Sequence, residues 1–136
     1  MKILLVLVFL FSVHFSFAQG APGDTVELVV FERVEVEASV DKTEWRLHLE
    51  KELQMLIEKA ASKGMKAGQY IINVRFLVEK DGSISYVKAV NNPGFGLAKG
   101  AEKVVKNGPK WTPGMQNGRK VRSYHTQPIT FVISEG

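Results

Sequence analysis

Hydrophobic positions recur along the chain with two different periods, and the switches between them mark out the elements. Residues 25–40 alternate: Val26, Leu28, Val30, Val34, Val36, Ala38 and Val40 share one parity, while Glu27, Arg33, Glu35, Glu37 and Ser39 take the other. A period of two is the signature of an extended strand with one face turned inward, here interrupted at Glu32. From Asp41 the period lengthens. Trp45, Leu49, Leu53, Leu56, Ile57 and Ala60 fall on one face of a helix, Asp41 and Glu44 supply a D-x-x-E cap, and Gly64 stops it. Alternation returns over residues 69–80, with Tyr70, Ile72, Val74, Phe76 and Val78 on one face. Asp81-Gly82 and the extended residues 83–90 follow, predicting a β-hairpin closed by a two-residue turn. Leu97, Ala101, Val104 and Val105 keep helical spacing up to Gly108-Pro109, which gives a short second helix. Residues 110–119, with Trp111, Pro113, Gly114 and Gly118, read as loop, and residues 120–133 as a last strand containing Pro128. The order strand, helix, hairpin, helix, strand predicts an α+β fold.

Composition narrows the class. Lys2, the apolar run 3–11 and Ser16-Phe17-Ala18 read as a signal peptide, residues 1–18, cleaved after Ala18. The stretch 3–17 is shorter than the roughly 20 apolar residues a spanning helix needs. The mature chain is therefore expected in the periplasm, with secretion as the alternative, and without a stable membrane anchor. Residues 19–40 form a lead-in and N-terminal strand, and residues 41–136 one domain; the 136-residue chain has room for a single core. A formal net charge of +4 with no strongly basic run argues against a nucleic-acid partner. The absence of cysteine excludes a disulfide framework and a thiolate zinc site.

Catalytic chemistry finds no constellation. There is no nucleophile elbow, P-loop or dinucleotide fingerprint, so neither catalytic residues nor a cofactor are expected and the chain does not read as an enzyme. His48 and His125 have no histidine neighbour at ligand spacing, so no metal is expected. Asp81 belongs to turn chemistry through Gly82, while Trp111, Tyr70 and Phe76 read as packing residues. Lys99, Lys103, Lys106 and Lys110 read as a solvated helix face, with an anionic docking patch as the alternative.

Three ordered motifs add a resemblance. Residues 74–88 read V-x-F-x-V-E-K-D-G-S-[IV]-S-x-V-K, residues 109–114 read P-K-W-x-P-G, and residues 126–131 read T-x-P-I-x-F. In this wording, carried by Asp81, Gly82, Pro109, Trp111, Pro113 and Gly114 among others, the chain resembles the C-terminal domain of the TonB energy transducer. V-F-x-x-V-E at residues 30–35 and the Trp45 helix are similar to the segment that precedes the hairpin in that family. The resemblance implies a three-stranded antiparallel sheet with two helices on one face, to which residues 26–40 would add an extra N-terminal strand. It also implies a partner, an outer-membrane TonB-dependent receptor or related transport protein, gripped through a short extended motif. Family transducers carry an inner-membrane helix and a long spacer. Here six residues, 19–24, separate leader from first strand and reach only about 20 Å, so the expectation is the grip rather than energy transduction.

The last strand is the candidate site. Proline has no N–H and is tolerated chiefly at sheet edges, so Pro128 predicts an edge strand with its nitrogen outward. Arg122, Tyr124, Thr126 and Thr130 then direct their backbone groups the same way, and an extended peptide can add as a further strand. Two alternatives stay open: Pro128 simply blunts the edge against aggregation, or residues 26–40 cover it. Exchange of residues 26–40 between molecules would instead make a homodimer or an assembly subunit.

Overall fold

The computed structural model describes residues 29–135; the expected leader, the lead-in and residues 25–28 of the expected first strand lie outside the described residues. The order is α1 (Lys42–Ser62), β1 (Gly68–Val78), β2 (Ile84–Ala89), α2 (Leu97–Lys106), β3 (Gly114–Gln116), β4 (Arg119–Val121) and β5 (Ser123–Ile133). Strands β2, β1 and β5 form an antiparallel sheet in that order, with β1 in the middle, and β3 and β4 form a separate ribbon. Among the described residues no helix is long and apolar enough to cross a membrane.

Both ends of α1 are closed as the sequence predicts. Asp41 Oδ1 accepts the Glu44 N–H at 2.9 Å, satisfying one of the donors a helix start leaves open. At the other end Gly64 takes a φ of 92°, its N–H donates to the Ala61 carbonyl, and the Met65 N–H reaches back to Ala60. This is the paired closure of a Schellman motif, with the buried Met65 and Ala60 side chains beside it. Helix α2 buries Leu97, Ala101, Val104 and Val105 and crosses α1 where Gly100 meets Leu56. A methyl group on Gly100 would stand 2.6 Å from Leu56 Cδ2, so the crossing needs a residue without a side chain. His48 of α1 donates its Nε2 proton to the Val104 carbonyl at 2.7 Å and ties the helices together.

The core lies between these helices and one sheet face. Ile72, Val74, Phe76 and Val78 alternate along β1, and Ile129, Phe131 and Ile133 along β5; all seven are buried. Cross-strand pairing sets Ile72 opposite Ile129 and Phe76 opposite His125. Phe76, Trp111 and His125 form one aromatic cluster, with Trp111 centroids 5.1 Å from Phe76, 4.8 Å from His125 and 5.8 Å from Trp45 of α1. The indole N–H of Trp111 and the Ser123 hydroxyl are buried without a hydrogen-bond partner among the described residues. Each costs about 1–3 kcal/mol, which the surrounding packing must offset.

Four expectations are corrected. The described part of the N-terminal segment, residues 29–40, is not a continuous strand but makes isolated bridges: Phe31 with Ser123, Val36 with Met115, Ser39 with Thr112. Residues 110–119 are not all loop, because β3 lies within them, and the last strand is divided at Arg122 into β4 and β5. Asn117 and Gly118, both with positive φ (51° and 72°), close the β3–β4 ribbon. Finally, the hairpin between β1 and β2 turns through three residues, not two. The Gly82 N–H and the Ser83 carbonyl both bond Glu79, and Gly82 alone has positive φ, 84°.

Gly82 also explains why the hairpin and tryptophan motifs occur together. Its carbonyl accepts the Trp111 N–H at 3.1 Å, and a Cβ on it would collide with the Trp111 carbonyl. Replacing Gly82 by alanine is therefore expected to cost more than the same change at Gly94, where φ is 88° but nothing lies within 4 Å. Gly94→Ala should lose about 1 kcal/mol from backbone strain, and Gly82→Ala about 3 kcal/mol or more from strain and collision together. Urea unfolding followed by tryptophan fluorescence measures both.

Candidate functional site

The direction of each backbone group on β5 follows from its pairing with β1. Asn73 donates its N–H to Asn91 Oδ1 at 2.9 Å and accepts the Val90 N–H at 2.8 Å, so both its main-chain groups are spent on the β2 side. Pro128, directly opposite Asn73 on β5, thus makes no bond to β1 and turns its nitrogen and carbonyl to the outer edge. Tyr124, Thr126, Thr130 and Val132 share that parity. At Tyr124 the direction is seen directly, because its N–H donates outward to the Phe31 carbonyl at 3.0 Å.

That contact closes one end of the edge. Phe31 also donates its N–H to the Arg122 carbonyl at 2.9 Å, running parallel to β5, and the chain then leaves β5 for β3. Beyond Tyr124 no backbone group among the described residues bonds the outward groups of Thr126, Thr130 or Val132. The Pro128 carbonyl meets only a long contact from its neighbour Gln127, 3.4 Å. The opposite sheet edge differs. On β2 the register shifts between Arg75 and Leu77, Tyr86 takes a φ of 51°, and Glu102 of α2 occupies the Ala89 N–H at 3.0 Å. Such a bulged and plugged edge presents no continuous ladder.

The five residues expected at the site separate into two groups. Tyr124, Thr126, Pro128 and Thr130 lie together on β5. Arg122 lies between β4 and β5, and its guanidinium is engaged inside the protein: Nε donates to Glu79 Oε2 at 2.6 Å and a terminal nitrogen to Oε1 at 3.1 Å. Its side chain is a brace rather than a free contact. Sequence reasoning missed Arg75 and Glu32. The Arg75 guanidinium lies 4.0 Å from the Tyr124 ring centroid and holds Glu32 through both carboxylate oxygens, at 2.7 and 2.9 Å. The period of two marked Arg75 only as opposite the apolar face of its strand, and Glu32 only as a break in the alternation of residues 25–40. Beside this stack is a cavity of about 310 Å³ whose lining includes Glu32, Arg33, Glu37, Arg75, Tyr124, His125 and Thr126, with Val34, Ala38 and Ser123.

The motif residues serve the frame. Asp81 accepts the Ser83 N–H and hydroxyl, at 2.9 and 2.6 Å, which holds its carboxyl below the usual carboxylate range. Trp111 is buried in the aromatic cluster, Pro113 and Gly114 are buried behind it, and Pro109 is half-buried at the end of α2. Among the described residues no group of three His, Cys, Asp or Glu side chains is placed to hold a metal ion. Lys99 pairs with Glu102 at 3.7 Å on an exposed face of α2.

Residues 58–133 match the family described as Gram-negative bacterial TonB protein C-terminal, and the match covers more than half of the chain. The chain belongs to the TonB C-terminal family. That membership makes it a domain of a protein-interaction family of TonB-type transport. Searches of curated proteins and of solved structures return no match.

The Glu79–Arg122 brace carries a pH dependence. The Arg122 hydrogen bonds, helped by the Ser85 hydroxyl, hold the Glu79 carboxyl below its usual value against the opposing effect of burial. A carboxyl lowered by folding contributes stability that is present above its unfolded value, about 4.3, and is lost as pH falls through its folded value. Arg122 is raised by the same pairing and stays charged throughout. Wild type should therefore lose more stability than Glu79→Gln on acidification below about pH 4.5, as measured by urea midpoints from pH 7 to pH 3.

Proposed function

We propose that the domain works in the periplasm, capturing an extended segment of an outer-membrane TonB-dependent receptor or related transport protein as an added strand on the outer edge of β5. The observation that carries this reading is the outward backbone from Thr126 to Val132, which no backbone group among the described residues bonds. Donors and acceptors there repeat at strand spacing, so an incoming main chain finds partners whatever its side chains. Pro128 removes one donor from the ladder. This weakens pairing of the edge with arbitrary strands without closing it, which suits a site that must be both open and selective. The contrast with β2, bulged at Tyr86 and plugged by Glu102, favours β5 over the other edge.

The proposal predicts that proline at a second outward position interferes with binding but not with folding. Thr126→Pro removes an N–H that no described group uses, so the melting midpoint should stay within a few degrees of wild type. Affinity for labelled peptides from receptor N-termini should fall about fivefold to tenfold, the worth of one hydrogen bond. Fluorescence anisotropy reads the affinity. Unchanged binding by Thr126→Pro, or no binding of any such peptide by wild type, would contradict capture on this edge.

A further inference from the structure

We infer that residues 31–37 form an end-stop for the strand captured on β5, fixing its length and the chemistry of its final side chain; this rests on the function proposed above. Phe31 and an added strand compete for one lane. Phe31 is hydrogen-bonded to Arg122 and Tyr124 on the outer side of β5, the side on which Thr126, Thr130 and Val132 are open. The open stretch from Thr126 to Val132 is seven residues, about 23 Å of strand. A strand longer than this must dislodge Phe31 and break two backbone hydrogen bonds of 2.9 and 3.0 Å. Glu32 reinforces the stop through its two-oxygen grip on Arg75, which is itself stacked on Tyr124.

Direction follows from the sheet. Both strand pairings of the sheet, β1 with β2 and β1 with β5, are antiparallel, the bridge at Phe31 alone being parallel; an antiparallel newcomer continues the sheet's pattern, so its C-terminal end points at Phe31. There the cavity beside Thr126 receives the side chain that ends the paired stretch. Its charged walls balance: Arg75 and Glu32 neutralise one another, and Arg33 faces the cavity together with Glu37. Tyr124 and Thr126 add hydroxyls. A lining rich in donors and acceptors, with two guanidinium groups set against two carboxylates and the His125 imidazole beside them, suits a neutral hydrogen-bonding side chain such as Thr or Gln. An apolar residue would leave these groups desolvated and unpaired, and a charged one would be repelled by one wall as it is attracted by the other.

The test uses the full chain and fluorescein-labelled peptides with a constant seven-residue segment from a receptor N-terminus, extended at the C-terminal end by none, two or four residues. Wild type should bind the shortest and lose at least about fivefold on the four-residue extension. Phe31→Pro, which cannot donate to Arg122, should abolish that penalty. Glu32→Gln leaves the backbone bonds intact and should reduce the penalty in part with an unchanged melting profile, so a folding defect in the proline variant does not decide the outcome. Tighter binding of longer peptides by wild type, with the same length dependence in both variants, overturns the end-stop. A second series varies the last paired residue among Thr, Gln, Leu, Asp and Lys. A preference of at least about fivefold for Thr or Gln supports the cavity assignment, and equal binding of all five overturns it. If the shortest peptide binds, and binds less to Thr126→Pro, while length has no effect, the end-stop falls and β5 capture survives. If no peptide binds wild type or either variant, both fall.

Discussion

The docking of the Trp111 loop onto the β1–β2 hairpin is the contact on which the rest of the structure depends. Through its backbone, Trp111 bonds Gly82 at the hairpin turn; through its ring, it reaches Trp45 of α1, Phe76 of β1 and His125 of β5. One residue thus joins the helix layer, the central strand and the edge strand. The neighbouring Thr112 exchanges hydrogen bonds with Ser39, 2.6 and 3.0 Å, and so carries the N-terminal segment into the same assembly. Because His125 sits between Tyr124 and Thr126, the cluster fixes the start of β5 just where Phe31 of the N-terminal segment meets the open edge. Rigidity at that point is what a strand-capturing edge needs, since a peptide gains most from a ladder that is already ordered.

The family's wording becomes physical in this light. The turn glycine is required by a positive φ and by the approach of the Trp111 carbonyl, while Asp81 secures the turn through Ser83. The brace between Glu79 and Arg122 ties the hairpin to the residue where β4 hands over to β5. The two sheet edges are treated oppositely: β2 is twisted and plugged, whereas β5 keeps a regular ladder broken only by a proline. Of the two edges of this sheet, the asymmetry favours β5 for pairing with another chain.

Much of this was legible in the sequence. The periods gave both helix faces, the Asp41 cap and the Gly64 stop, and Pro128 alone indicated an outward-facing edge. What stayed hidden had physical reasons. Alternation over residues 26–40 reports an extended chain but not its partner, and the described part finds scattered bridges because β5, β3 and the Trp111 loop each accept it at only one point. Asn117-Gly118 is a strong turn signal, but the strands it joins are three residues each, too short for a period to register. Asp-Gly at 81–82 marked the hairpin but not the loop length, which the Glu79 bonds set. The capture of Arg122 by Glu79, and of Arg75 by Glu32, joins residues 43 apart in the chain, so no local pattern could separate the brace from the binding surface.

Amide hydrogen exchange at single-residue resolution tests the central claim most directly. Gln127, Ile129 and Phe131 direct their backbone groups toward β1, whereas Thr126, Thr130 and Val132 direct theirs outward. In the free protein the first three should exchange slowly and the second three quickly, and a bound receptor peptide should slow Thr126, Thr130 and Val132 selectively. Slow exchange of those three amides before any peptide is added, or protection that appears instead along β2, would contradict the account.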